Sequence, residues 1–344
     1  MFRTATPIAL FQLQADILRG HVPGILDGRL DSIHDARIAT RRIRELLPLT
    51  HEWQRRHVAD DLFARIKRIG RALGRVRDAD VSIALLRYLE SRVPHAAPSL
   101  VLVRQRRERE RLLSMRKLIK RFERLGIADE LTRVSARSEW QRSRVWTALA
   151  GGWRGQLRHL VAERAHAASE AVVHATGVYF PNRAHAARIA IKKFRYAIEI
   201  SGRTGLLADE PLLRTLKKNQ DLLGEMHDRQ ALIDELTDLA EQDSTIDPAQ
   251  LRQVVRVSEA EIEDLHARAI SRRLDVLDGC CRAQQAVRRR SELPRMALAL
   301  AGAVAAAGIE AHRRHARPPD RAIESAAPDV VSVMIPIPIA LDRH

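Results

Sequence analysis

His34-Asp-Ala-Arg37-Ile-Ala-Thr-Arg41-Arg42-Ile-Arg44 returns 151 residues later as His185-Ala-Ala-Arg188-Ile-Ala-Ile-Lys192-Lys193-Phe-Arg195. Six of the eleven positions are identical and two more exchange only Arg for Lys, so charge is repeated along with hydrophobicity. On a helix turning about 100° per residue, His34, Arg37, Arg41 and Arg44 share one arc. Ala36, Ala39, Ile43, Leu46 and Leu47 take the opposite side. In the second copy His185, Arg188, Lys192 and Arg195 oppose Ala187, Ala190, Phe194, Ala197 and Ile198, with Arg42 and Lys193 flanking the basic stripe. The pattern predicts two helices that each pack on one face and collect positive charge on the other.

Composition agrees with helices packed on helices. The chain has 344 residues, 45% apolar but only 4% aromatic, and Leu, Ala, Arg and Glu dominate, as in all-α proteins. Its net charge is +16. Residues 1–150 hold 31 Lys/Arg against 17 Asp/Glu and residues 151–344 hold 28 against 26, so the first half carries nearly all the excess. Such a field draws polyanions: nucleic acid, an anionic membrane surface or an inorganic polymer. Cys280 and Cys281 are adjacent, which excludes a disulfide framework and suits a reducing compartment. Residues 1–20 lack a secretory leader pattern, and the apolar stretch Met296–Ile309 falls short of the ~20 residues of a spanning helix. A cytoplasmic protein is expected.

Punctuation residues predict a helix over Pro7–Arg19, a break at Gly20–Gly28, and a second helix capped by Ser32 that stops at Pro48. Further helices are expected at Gln54–Leu73, with Gly74 closing it, from Asp78 to before Pro94, and over Ser99–Leu125. The second half repeats the plan: Gln156–Val172, Asn182–Ser201, Pro211–Leu223, Asp228–Gln242, and a long helix from Pro248 to Arg290. An independent match supports the duplication: Leu62, Lys67-Arg68, Leu73-Gly74 and Asp78 correspond to Leu212, Lys217-Lys218, Leu223-Gly224 and Asp228 at an offset of 150. Asp78 and Asp228 read as helix N-caps. Residues 291–344, rich in Pro and balanced in charge, read as a largely disordered tail.

These motifs resemble the CHAD family, the conserved-histidine α-helical domain. Its His-x-x-Arg-x-x-x-basic-basic-x-Arg helix is matched at His34–Arg44 and His185–Arg195. Its Leu-Gly-x-x-Arg-Asp-x-Asp-Val element is matched at Leu73–Val81, with a looser counterpart at Asn219–Asp228. The resemblance spans about residues 5–290, with halves at about 5–135 and 150–290. It implies two four-helix-type bundles related by a pseudo-twofold axis, basic stripes facing a shared central groove, and inorganic polyphosphate as ligand. Some family members associate with polyphosphate granules. A non-enzymatic binding module without cofactor is implied, since Glu108-Arg-Glu110 and Glu261-Ile-Glu263 lack the Lys and strand context of the tunnel hydrolases to which such domains are fused.

A polyphosphate binder needs cationic donors along a line and no device for reading bases. Arg presents a planar fork to phosphate oxygens and Lys a mobile point charge. The candidate site is therefore His34, Arg37, Arg41, Arg42, Arg44, His185, Arg188, Lys192, Lys193 and Arg195, with Lys67, Arg68, Lys217 and Lys218 beside them. The histidines either contact phosphate or brace a carboxylate. Arg104–Arg124 carries ten basic and three acidic residues spread around its axis, which reads as a peripheral attraction surface first and a groove wall second. Two other classes compete. Nucleic-acid binding fits the charge but lacks aromatics for stacking. A metal-dependent polyphosphate hydrolase would need ligands that the sequence does not offer, His312 and His315 being isolated in the tail. No phosphate-binding loop or activated nucleophile is present.

Overall fold

Leu62, Ile66, Ile69, Leu73, Val76, Ala79, Ile83, Leu86 and Leu89 are all buried, spaced three or four apart without interruption. That continuous stripe makes one helix of the region read as two. In the computed structural model, which describes residues 5–50, 56–126, 129, 132, 151–243 and 245–289, a 37-residue helix, Arg56–Arg92, passes straight through Gly74 and Asp78. The equivalent helix of the second half, Glu210–Gln242, runs unbroken through Gly224 and Asp228. Neither glycine is a C-cap and neither aspartate an N-cap. A mid-helix Gly costs only about 1 kcal/mol relative to Ala, which the buried stripe on both sides overrides.

In chain order the described elements are α1 (Pro7–Gly20), α2 (Val22–Leu26), α3 (Leu30–Thr50), α4 (Arg56–Arg92), a 3-10 turn (Pro94–Ala96), α5 (Ala97–Leu125), α6 (Gly151–His174), α7 (Pro181–Arg203), α8 (Glu210–Gln242) and α9 (Pro248–Ser271). A final helix, α10, covers 273–289. Among the described residues there is no strand, and the fold is all-α. The chain divides between Glu292 and Leu293, and every described residue belongs to the first unit. The tail, with Met296–Ile309 and His312, lies outside the described residues.

Local chemistry explains the remaining helix ends. Thr6 caps α1 by accepting from the Ala9 amide at 3.2 Å; Asp209 caps α8 and Asp247 caps α9 in the same way, each with Pro in the first turn. Ser32 is not a cap, because α3 already begins at Leu30. Nor does Pro48 stop α3. It forfeits one late backbone hydrogen bond, and the burial of Leu49 and Thr50 behind it carries the helix on. The expected long last helix instead breaks at Arg272, where the Ser271 hydroxyl donates to the Arg268 carbonyl at 2.8 Å and competes with the helical ladder.

Each half shows the same order of neighbours: α3 packs on α1 and α4, and α4 on α5; α7 packs on α6 and α8, and α8 on α9. The main core joins α1, α3, α6 and α7 to parts of α4, α5, α8, α9 and α10. A smaller core at the far end gathers Leu86, Leu89, Leu100 and Val103 against Leu232, Leu236, Leu251 and Val254. The long helices α4 and α8 thus bridge two cores and are held at both ends. α3 meets α7, and α4 meets α8.

Candidate anion-binding site

The packing faces read from the sequence are the buried ones. Ala36, Ala39, Ile43, Leu46 and Leu47 on α3 and Ala187, Phe194, Ala197 and Ile198 on α7 are almost wholly inaccessible, and Ala190 is half-buried. With these faces occupied, the basic faces of both helices turn toward α4, α8 and one another.

The glycine of α4 lets a guanidinium dock closely, and that of α8 lies under one at ordinary contact distance. Arg37 Nη1 donates to the Gly74 carbonyl at 2.9 Å and to Asp78 Oδ1 at 2.8 Å; a Cβ at position 74 would stand 3.3 Å from that nitrogen. In the second half a Cβ on Gly224 would stand 3.7 Å from Arg188 Nε. The Leu-Gly pairs therefore mark where a stripe arginine lies across a long helix, which is a packing role and not a helix end. The aspartates one turn on take part in the site. Asp78 neutralises Arg37, while Asp228, half-buried, has its carboxyl pushed up by burial against the opposing pull of Arg188. The charge of Asp78 is felt at both Asp228 and His227, so the matched turns of the two halves face each other.

Arg37, Arg41 and Arg44 of α3 converge with Arg188 and Lys192 of α7. Burial and the neighbouring Arg41, Arg188, Arg37 and Arg44 push the Lys192 ammonium down to about 7. Arg41 is lowered by burial and by Arg37, and the Tyr196 hydroxyl, to which it is hydrogen-bonded, opposes that shift. Lys192 has no ion pair among the described residues. Its proton is held less well in the folded chain than in the unfolded one, where a lysine titrates near 10.5. Below about pH 7 both states carry the charge and the folded state bears the full penalty. From there up to the unfolded value the unfolded chain alone binds the proton, so stability from this group rises with pH. Lys192→Met should accordingly raise Tm by about 5 °C near pH 6, the gain shrinking toward zero by about pH 10. A gain independent of pH in paired melting curves would refute the assignment.

The other predicted residues are placed differently. His185 lies at the groove edge against His227, Nδ1 to Nδ1 3.3 Å, and both imidazoles are lowered by burial and then by Arg188. His34 is not among the converging cations. It lines a separate cavity of about 590 Å³ with Asp31, Arg77, Asp80, Arg87 and Arg111. Arg42 and Arg195 share Glu199, and Arg195 also donates to Gln220 at 3.0 Å, so these two clamp α3 and α8 to α7. Lys193 is half-buried, while Lys67, Arg68, Lys217 and Lys218 are exposed on α4 and α8. Lys217 pairs with Asp221 at 3.9 Å.

Sequence reasoning ranked the wall opposite only second among the roles of Arg104–Arg124. A cavity of about 570 Å³ opens from Arg37 and Arg188 and is lined by Arg75, Ser82, Ser114, Lys117, His227 and Asp228 among others. The Ser82 hydroxyl and Arg107 Nε are buried there without a partner. α5 is thus a groove wall before it is a peripheral surface. Arg104 pairs with Glu90 at 2.6 Å, Arg106 with Asp243 at 2.6 Å, Arg107 with Glu235 and Arg111 with Asp80, which fixes α5 to its neighbours and leaves Lys117 in the cavity. Long-range pairing of this kind leaves no periodic trace in a sequence. No cluster of three or more His, Cys, Asp or Glu that could hold a metal occurs among the described residues, and no described helix is long and apolar enough to cross a membrane.

A helical fold with two duplicated basic helices docked on glycine-notched long helices defines a recognisable class. The family model described as CHAD domain matches residues 9–237, and the chain belongs to that family. Among solved structures it is similar to the CHAD domain from the plant Ricinus communis, 19% identical, with 81% of this chain and 93% of that one covered at a TM-score of 0.52. It is also similar to PptA from Streptomyces chartreusis, 15% identical, with 82% and 98% covered at a TM-score of 0.53. These likenesses concern the fold. No curated protein matches significantly.

Proposed function

We propose that this protein binds inorganic polyphosphate along the facing stripes of α3 and α7 and does not turn it over. The family to which the chain belongs is associated with polyphosphate. The observation that carries the reading to particular residues is the convergence of Arg37, Arg41, Arg44, Arg188 and Lys192, where burial, and after it mutual repulsion, costs the folded state part of a lysine's charge. A linear polyanion relieves that repulsion, whereas a lone carboxylate such as Asp78 relieves only Arg37. Polyphosphate offers repeated phosphates and no base edges, which suits a site of guanidiniums and amines. Nucleic acid is the weaker reading because aromatic platforms are scarce, at 4% of the chain. Attachment to polyphosphate granules in the cytoplasm is the cellular setting that this function suggests.

Long-chain polyphosphate should bind with a steep inverse dependence on salt, since each neutralised phosphate releases about one counterion. Binding should tighten as pH falls from about 8 to 6, because a polyanion favours the protonated forms of Lys192, His185 and His227. Competition at physiological salt decides the ligand. Short double-stranded DNA at equal phosphate concentration should leave polyphosphate bound; displacement by DNA would overturn the proposal. Phosphate release from long-chain polyphosphate by purified protein with Mg²⁺ would overturn the non-enzymatic part.

A further inference from the structure

His34 and Arg77 are the first-half counterparts of His185 and His227, at offsets of 151 and 150. In the second half the two side chains meet, with ring centroids 4.5 Å apart. In the first half they line a cavity of about 590 Å³ bordered by α3, α4 and α5. Neither His34 nor Arg77 has a hydrogen-bond or ion-pair partner among the described residues, although Arg77 is half-buried. We propose that this cavity binds a nucleoside monophosphate, its phosphate held by Arg77 and His34 and its nucleoside laid along the apolar and acidic lining.

The lining divides by chemistry. Arg111 is held by Asp80, and Arg87 by Glu108 at 3.3 Å; Arg104 reaches the same Glu108 at 3.1 Å. These pairs neutralise one another, which leaves Arg77 and His34 as uncommitted donors and Asp31 as the uncommitted carboxylate. A guanidinium fork and an imidazole N–H suit the oxygens of one phosphate. Ionised Asp31 offers acceptors alone, so it suits the hydroxyls of a sugar or the amino group of a base. Leu30, Ile83 and Ala84 add apolar surface, and Leu30 is 55% exposed, so a flat base seated there removes a leucine from water. The volume lies in the range of pockets that enclose a small organic molecule and far exceeds the needs of a phosphate ion. The same lining selects against a polymer. Asp31, Asp80 and Glu108 repel successive phosphates, and the apolar residues offer them nothing. A molecule with one charged end and a neutral, hydroxyl-bearing body meets both kinds of surface.

This site is independent of the polyphosphate reading, since none of Arg41, Arg188 and Lys192 lines it. Calorimetric titration of the full chain with AMP, GMP, CMP and UMP tests it. At least one of the four should bind saturably at concentrations up to about 1 mM. The matching nucleoside, which lacks the phosphate, and inorganic phosphate, which lacks the nucleoside, should each bind at least about tenfold more weakly. Arg77→Gln should weaken the nucleotide at least about tenfold, and Leu30→Ala, which keeps every charge, about threefold, with helicity of both variants checked by circular dichroism. Long-chain polyphosphate should leave the nucleotide bound. Absence of saturable binding by all four, equal affinity for inorganic phosphate, unchanged affinity in a folded Arg77→Gln variant, or displacement by polyphosphate would each overturn the assignment. A chain that binds the nucleotide and not polyphosphate would support this site while counting against the polyphosphate reading.

Discussion

Simultaneous exchange of Arg37, Arg41, Arg188 and Lys192 for Gln is expected to abolish polyphosphate binding, weakening it by at least about a thousandfold at moderate salt. The four residues come from both stripes, so the change removes charge from each side of the groove. Three of them bear no carboxylate partner among the described residues, and Arg37 leaves behind only the largely exposed Asp78. The fold should therefore lose little, and relief of repulsion at Lys192 should leave Tm unchanged or slightly raised. Equilibrium binding of a fluorescent long-chain polyphosphate, with circular dichroism on the same sample, measures both. Retained affinity in a folded variant would place the ligand elsewhere, and the cavity bounded by Lys117 and Arg75 would be the next site to examine. Removing Lys67, Arg68, Lys217 and Lys218 instead should cost far less, because these exposed side chains are solvated and screened.

Phe194→Ala is expected to destabilise the protein by about 4 kcal/mol, the largest effect of any single change on α7. Phe194 is fully buried on the face opposite Lys192 and corresponds to Ile43 in the first copy. Its ring fills the space between α7 and the rest of the main core, and truncation leaves a cavity that the neighbouring helices close only in part. Denaturant unfolding should show the loss. Below the lowered transition, polyphosphate affinity should remain within about threefold of the parent, since the basic face keeps its residues. A loss of stability under about 1 kcal/mol would mean that α7 is not anchored through this ring.

On α7 these two variants probe opposite faces, and the separation of those faces was legible in the residues themselves. Ile43 and Phe194, Ala36 and Ala187 read as packed positions because a helix places every third and fourth residue on one side, and they are buried. Helix ends were less legible. Gly74 and Gly224 resemble stop signals, yet the buried stripe from Leu62 to Leu89 continues past the first and Met226, Leu232 and Leu236 continue past the second. A local signal worth about 1 kcal/mol yielded to several buried side chains worth more apiece. What a glycine notch is for depends on what crosses it, and Arg37 lies 37 residues away in sequence.

The identity of the site divides along the same line. From sequence alone came the all-α class, the two amphipathic basic helices and their repeat, because these depend on spacing within a single helix. Only the tertiary structure decided which charges meet. Arg41 and Lys192 converge and Lys192 gives up part of its charge, whereas Arg42 and Arg195 are taken by Glu199, His34 is turned to a different cavity, and α5 supplies a wall. Electrostatic interaction falls with distance and rises with burial, and both are set by how α3, α7 and the long helices cross, which no pattern of residues along one helix contains.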